Sequence, residues 1–526
     1  NTTGTDNTAV GALSLDANTT GVTNTAIGYA ALTSSTTASH NVALGYEALK
    51  ANTTGDLNTA IGYQALDANT VGDRAVAVGV GALGSQNPDS NTDTYNIGVG
   101  YSAGNAITTG VKNIIIGGLA GDAITTAEGN VALGHSAMSS NTVGSYSLAI
   151  GFRALNNQNP SSATDMYNTA VGTDAGLAVT TGTANTFIGG LAGDATTTGS
   201  NNTAVGKHTL GSNTTGASNT AVGSGALFST TTGVRNTAIG SFSLDANTTS
   251  NDNTAVGSGS LGVNTTGANN TAVGSFSLDA NTTGDSNVAL GKSALGANTT
   301  ADNNVAVGTE TLLVNTTGTS NVAVGSFALD ANTTASSNTA IGHGSLTANT
   351  TGADNTAVGR SALDANTTAS FNTAVGRNAL TDNTTGASNT AVGYGSQANT
   401  TTGGSNTSVG TNSLEANTTG EYNVAIGLQA LDSATTPDYN TAVGYTSGRQ
   451  ITTGEKNTLV GGLTGDKLTV GSSNVGMGYG VLFSDTKGSR SVAVGFSCLT
   501  NQNFTSATET YNTAVGYQAG ANVTTG

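Results

Sequence analysis

The sequence predicts an all-β parallel β-solenoid, a β-roll wound from 17-residue coils, and three observations lead there. The string Asn-Thr-Ala-Val-Gly at 7–11 occurs, with small variations, thirty times along the 526 residues, the last copy beginning at Asn512. Of the 29 spacings between copies, 26 are 17 residues and three are 21. That period is too short for a helical hairpin repeat or a propeller blade, and it suits one coil of a stack bonded to the coils above and below. Composition is the third observation. With 75 Gly, no Trp and 5% aromatic residues, the chain lacks the side chains that fill several globular cores. At 9% charged it is also unlike a disordered chain, and three Pro are too few for collagen.

With the first Asn of each repeat as position 0, the parts of the coil follow in order. Positions 1 to 3 hold Thr, Val, Ile and Ala, and their β-branched members favour a strand. Position 3 is Val, Ile or Leu in every coil except the one with Met477, and position 4 is Gly in all thirty. Position 8 is usually Leu, and positions 11 to 13 often read Asn-Thr-Thr before Gly, which is turn chemistry. The structural repeat is represented by Asn7, Val10, Gly11, Asn24, Ile27, Gly28, Asn58, Ile61, Gly62 and Leu66. The expected coil has two short strands and two turns, and thirty coils at about 4.8 Å would make a rod roughly 145 Å long.

Three coils depart together. Those beginning at Ala75, Ser147 and Ser491 lack the position-0 Asn and are the three 21-residue coils. Their extra residues fall in the second turn, at Gln86-Asn87-Pro88, Gln158-Asn159-Pro160 and Gln502-Asn503-Phe504, and each loop ends in a tyrosine: Tyr95, Tyr167 or Tyr511. The longer turn is expected to replace the contact that Asn makes elsewhere. Residues 96–167 and 440–511 match as blocks that share Gly-Gly-Leu-x-Gly-Asp at 117–122 and 461–466. Residues 1–526 thus read as a single continuous solenoid region. Decorated blocks lie at about 75–201 and 440–526, and a plain shaft at about 202–439. Both ends fall within repeats, so the region is expected to be a section of a longer fibre.

A solvent-facing strand should alternate apolar with polar residues. Positions 1 to 4 do not: their 120 places hold no charged residue. One face can line the coil interior with Leu at position 8, and the other needs a partner. Small Ala and Gly are expected to let the backbones of neighbouring chains approach. A lone coil encloses few large apolar side chains to set against ~1–2 kcal/mol of backbone entropy per residue. Several copies are therefore expected side by side.

Residues 58–66 read Asn-Thr-Ala-Ile-Gly-Tyr-Gln-Ala-Leu. This resembles the Asn-Ser-Val-Ala-Ile-Gly-x-x-Ala repeat in the heads of trimeric autotransporter adhesins (YadA-like). It is also similar to repeats of phage and bacterial tail-fibre proteins, which commonly read as residues 58–66 do. The resemblance covers the whole chain. It implies a left-handed parallel β-roll, assembled as a homotrimer, at a cell surface or on a virion fibre. Two departures stand beside it. The adhesin head repeat is shorter than 17 residues, and neither a membrane anchor nor a chaperone domain is read in these residues.

Chemistry leaves few marks. His40, His135, His208 and His343 never share a position in neighbouring coils, and no nucleophile arrangement, phosphate loop or zinc string occurs. No enzyme activity, cofactor or metal is expected. A net charge of −17 speaks against nucleic acid and anionic membrane surfaces, and no apolar run of about 18 residues exists to cross a membrane. The lone Cys498 reads as a buried small residue. Aspartates at position 9, such as Asp16, Asp67, Asp245, Asp279, Asp330 and Asp364, read as solvated acids. Asn18, Asn213, Asn315 and Asn417 lie in Asn-Thr-Thr sequons, which allows glycosylation, but a turn ladder with Asn bonded coil to coil is favoured.

Candidate contacts for a host or surface receptor are the position-5 tyrosines, such as Tyr29, Tyr46 and Tyr63, and the three long turns. In those turns the candidates are Gln86, Asn87 and Tyr95, then Gln158, Asn159 and Tyr167, then Gln502, Asn503 and Tyr511. The expected function is a non-enzymatic extracellular structural fibre or adhesin shaft, a rigid rod for surface attachment. The alternatives are a self-polymerising extracellular filament and, behind it, an ice-binding solenoid.

Overall fold

The computed structural model describes residues 2–525, which divide into two compact units, one ending at Ala268 and the other beginning at Asn269. The first unit has fifteen three-residue strands, from Thr8–Val10 to Thr254–Val256, and the second has fifteen, from Thr271–Val273 to Thr513–Val515. Within each unit successive strands pair parallel and position for position, as in Ala26↔Ala43 of the first and Ala323↔Ala340 of the second. Each unit is a parallel β-solenoid of 17-residue coils, with two of the longer coils in the first and one in the second. No helix among the described residues is long and apolar enough to cross a membrane.

The invariant Gly at position 4 has a backbone cause. Gly240 sits at φ 137°, and a Cβ there would lie 2.5 Å from the carbonyl oxygen of Gly257 in the next coil. A side chain would collide with backbone, and the conformation itself disfavours L-residues. The close approach is between successive coils of one chain.

The strand's two faces resolve differently from the expectation that small residues bring neighbouring chains together. Position 2 points into the coil: Ala238 and Leu244 are fully buried, as are Ala340 and Leu346. Positions 1 and 3 point out, where Thr237 is half-buried and Ile239 is 41% exposed. Seventeen residues close around a narrow interior, so a Leu at position 8 leaves room for only a methyl opposite. In three of the coils with Gly at position 8, position 2 grows instead. Phe187 faces Gly193, Ile115 faces Gly121 and Leu459 faces Gly465, and a Cβ on Gly193 would lie 2.5 Å from the Phe187 ring.

Only one strand forms per plain coil, not two. After the position-4 glycine the chain runs through consecutive turns in which positions 6 and 8 are left-handed without being glycine, as at Phe242 (φ 54°) and Leu244 (φ 50°). Such a conformation costs an L-residue roughly 1–2 kcal/mol. The turn backbone offsets this with bonds between coils, Phe242 N–H to the Ser224 carbonyl at 3.0 Å and Leu244 N–H to the Ser260 carbonyl at 3.0 Å. Curling the chain this way prevents a second extended segment.

Polar ladders hold the remaining corners. Asn219 at position 0 donates its backbone N–H (3.0 Å) and its Nδ2 (3.2 Å) to Oδ1 of Asn202, and Nδ2 also donates to the Gly233 carbonyl at 2.8 Å. At position 11, Asn332 Nδ2 donates to Asn315 Oδ1 at 2.8 Å. At position 12, Thr316 Oγ1 donates to the Thr333 carbonyl at 3.0 Å. Buried amides that are fully bonded keep their neighbours in register.

Candidate functional site

The three long turns are built alike. Gln86, Gln158 and Gln502 are fully buried, and their Oε1 atoms accept from Nδ2 of Asn96 (2.8 Å), Asn168 (3.0 Å) and Asn512 (2.8 Å). Each glutamine gives the next Asn's Nδ2 the oxygen that Asn202 gives to Asn219 in a plain coil, so the longer turn does replace that side-chain contact. Asn87, Asn159 and Asn503 are exposed and continue the threonine ladder. Their Oδ1 atoms accept from Oγ1 of Thr70 (2.6 Å), Thr142 (2.7 Å) and Thr486 (2.9 Å). Two of these turns also add a short parallel strand pair, Gly144–Ser145 with Thr164–Asp165 and Gly488–Ser489 with Thr508–Glu509, and the first has the single bridge between Asp73 and Asp93.

What the turns leave in solvent is a tyrosine beside a carboxylate. Tyr95, Tyr167 and Tyr511 are half or more exposed, and their hydroxyls donate to Asp93 (3.1 Å), Asp165 (3.2 Å) and Glu509 (2.6 Å). One coil below each ring lies a flat partner at position 16. The Arg74 guanidinium is 5.8 Å from the Tyr95 ring and pairs with Asp93, and Arg490 is 5.6 Å from the Tyr511 ring and pairs with Glu509 at 3.0 Å. In the second turn Tyr146 stacks on Tyr167 at 5.7 Å. The Tyr146 hydroxyl is pushed up to about 12 by its hydrogen bond to Glu128, and the charge of Asp165 raises Tyr167. These phenols stay neutral donors at any ordinary pH. The signal was in the sequence: an acid two residues before each tyrosine, at 93, 165 and 509.

The other candidates lie on both units. Tyr29, Tyr46 and Tyr63 form one exposed column with ring centroids 5.1 and 5.3 Å apart. Mutual stacking leaves mainly ring edges for a ligand. Asn18, Asn213, Asn315 and Asn417 are buried, and each Nδ2 donates to the carbonyl three residues ahead. In the folded coil these amides are turn donors. Four of the position-9 aspartates are less solvated than expected, burial raising Asp67, Asp245, Asp279 and Asp330 above the usual carboxylate range, whereas Asp16 is exposed. Burial together with Glu415 pushes Asp432 up to about 6. Cys498 is buried, its Sγ 3.1 Å from the Ala514 carbonyl. Among the described residues no group of three or more His, Cys, Asp or Glu is placed to hold a metal ion.

Compared with known proteins, the chain matches no family model and no curated protein.

Proposed function

We propose that the chain is a shaft or head segment of a non-enzymatic extracellular fibre, a left-handed β-roll that assembles as a homotrimer and serves surface attachment. The observation behind this reading is the outward face of the strands. In each unit positions 1 and 3 set Thr or Val beside Val, Ile or Leu in nearly every coil, without a charge, and side chains such as Ile239 and Ile341 are about 40% exposed. Parallel sheets are ordinarily covered on both faces, and here the chain covers only one. Copies of the same chain are the partner that fits a face repeating at the same period. The ladders already spend the position-12 threonine hydroxyls on carbonyls, which argues against an ice-binding role for that column. Receptor contact, on this reading, belongs to the exposed tyrosines of the long turns, whose glutamines are committed to the chain's own ladder.

Sedimentation equilibrium tests the assembly. The expected mass is three times the 51.2 kDa of one chain, and a folded monomer at micromolar concentration refutes the proposal.

A further inference from the structure

In the first unit the coil beginning at Asn219 has Gly225 at position 6, where the coils below and above carry His208 and Phe242. The missing side chain opens a cleft of about 280 Å³. Phe228 and Phe242 wall it, 43% and 57% exposed, and His208 stands edge-on to Phe228 with ring centroids 6.2 Å apart. The Phe242 ring lies over Gly225, close enough that a Cβ there would sit 2.8 Å from it.

The polar groups sit at opposite edges. Lys207 comes from the coil below the gap and Asp245 from the coil above it, so they are two coil rises, or about 10 Å, apart along the stack. Lys207 is exposed and makes no ion pair among the described residues. Asp245 lines the other edge, where burial holds its carboxyl above its ordinary value; a carboxylate accepts from a hydroxyl donor and repels an anion. Apolar walls with a few convergent polar groups are the usual make-up of a small-molecule site.

We infer that this cleft binds a single hydroxylated ring bearing a carboxylate. The ring lies between Phe228 and Phe242, the carboxylate meets Lys207 and His208, and a ring hydroxyl donates to Asp245. Two sources share that chemistry, a hydroxyaryl acid and a uronic acid of a glycan. The site is independent of the fibre reading, because one copy supplies all of its residues.

Saturation-transfer NMR on the whole chain tests it. The probes are 4-hydroxyphenylacetate and glucuronate, each beside its uncharged counterpart, tyrosol and methyl glucoside. At least one acid is expected to saturate in the millimolar range, as its size allows, and to bind about tenfold tighter than its counterpart. Which acid does so identifies the source. Lys207→Gln is expected to abolish that tenfold difference. Gly225→His is expected to push the Phe242 ring from its place over the gap and lose binding at least tenfold, with circular dichroism checking that the chain stays folded; its backbone is no obstacle, since His208 already adopts φ 56° at the same position one coil below. The inference is overturned if neither acid saturates, if Lys207→Gln leaves the preference for the acid intact, or if Gly225→His binds like the parent.

Discussion

Within the first unit, the plain coil beginning at Asn236 and the decorated coil beginning at Asn185 close around the same interior with opposite choices of size. The plain coil sets Ala238 against Leu244, and the decorated one sets Phe187 against Gly193. Both keep Gly at position 4, at φ 137° and 133°, and both keep their position-0 Asn in the ladder. The cross-section is therefore fixed by backbone contacts between coils, and side-chain volume is free to move from one wall to the other. The same holds for polar groups, since Gln158 gives Asn168 the oxygen that Asn219 takes from Asn202 in a plain coil.

Removing Phe187 is the strongest way to break this comparison. Phe187→Ala is expected to cost about 3–5 kcal/mol in denaturant unfolding, because the ring fills the space above both Gly176 and Gly193. Adding Gly193→Leu rewrites the coil as a plain one and is expected to recover more than half of that loss. No recovery would mean that volume does not exchange between the two positions.

The polar exchange predicts a smaller effect. Gln158→Ala strips one acceptor from the buried Asn168 Nδ2, which keeps its bond to the Gly182 carbonyl at 2.8 Å, and is expected to cost about 2 kcal/mol. Exposed Tyr167→Ala in the same turn is expected to leave unfolding almost unchanged. Equal losses from both would place the loop's stability in its surface rather than in the ladder.

Position 9 in the second unit sharpens the comparison most finely. There the plain coils place Glu415 and Asp432 next to each other, whereas the decorated ones that follow pair Arg449 with Asp466 at 3.0 Å. With its folded-state value raised to about 6, Asp432 holds its proton more tightly folded than unfolded. Its favourable contribution is complete below about pH 4 and is lost as the pH rises through 6. Asp432→Asn is expected to stabilise the chain by about 1 kcal/mol at pH 7, after allowance for solvent screening, with the gain vanishing near pH 4. A gain independent of pH would assign the effect to something other than the carboxylate.

Much of this was legible in the residues. The period, the invariant glycine, the Leu at position 8 and the replacement of the position-0 Asn by a longer turn all follow from spacing. Other features did not. Leu244 in a left-handed conformation carries no local signal, because stacking rather than propensity selects it, and the second strand was expected where the chain curls. Alternation alone could not say whether Ala238 or Ile239 faces inward. That choice depends on how narrow the coil is, which only the closed geometry fixes. The long turns were found as candidates, but their glutamines proved internal and their tyrosines external.

The claim that the outward strand face is a seam between copies is tested most directly by cysteine cross-linking. Cys498→Ser clears the background, using the residue that Ser243 and Ser260 supply at the same position. Ile239→Cys then places a thiol on the outward face, and Thr232→Cys places one on an exposed turn as the control. Under mild oxidation Ile239→Cys is expected to join copies covalently at micromolar concentration, while Thr232→Cys does not. Copies that stay separate with Ile239→Cys, or that join equally through Thr232→Cys, would contradict the account.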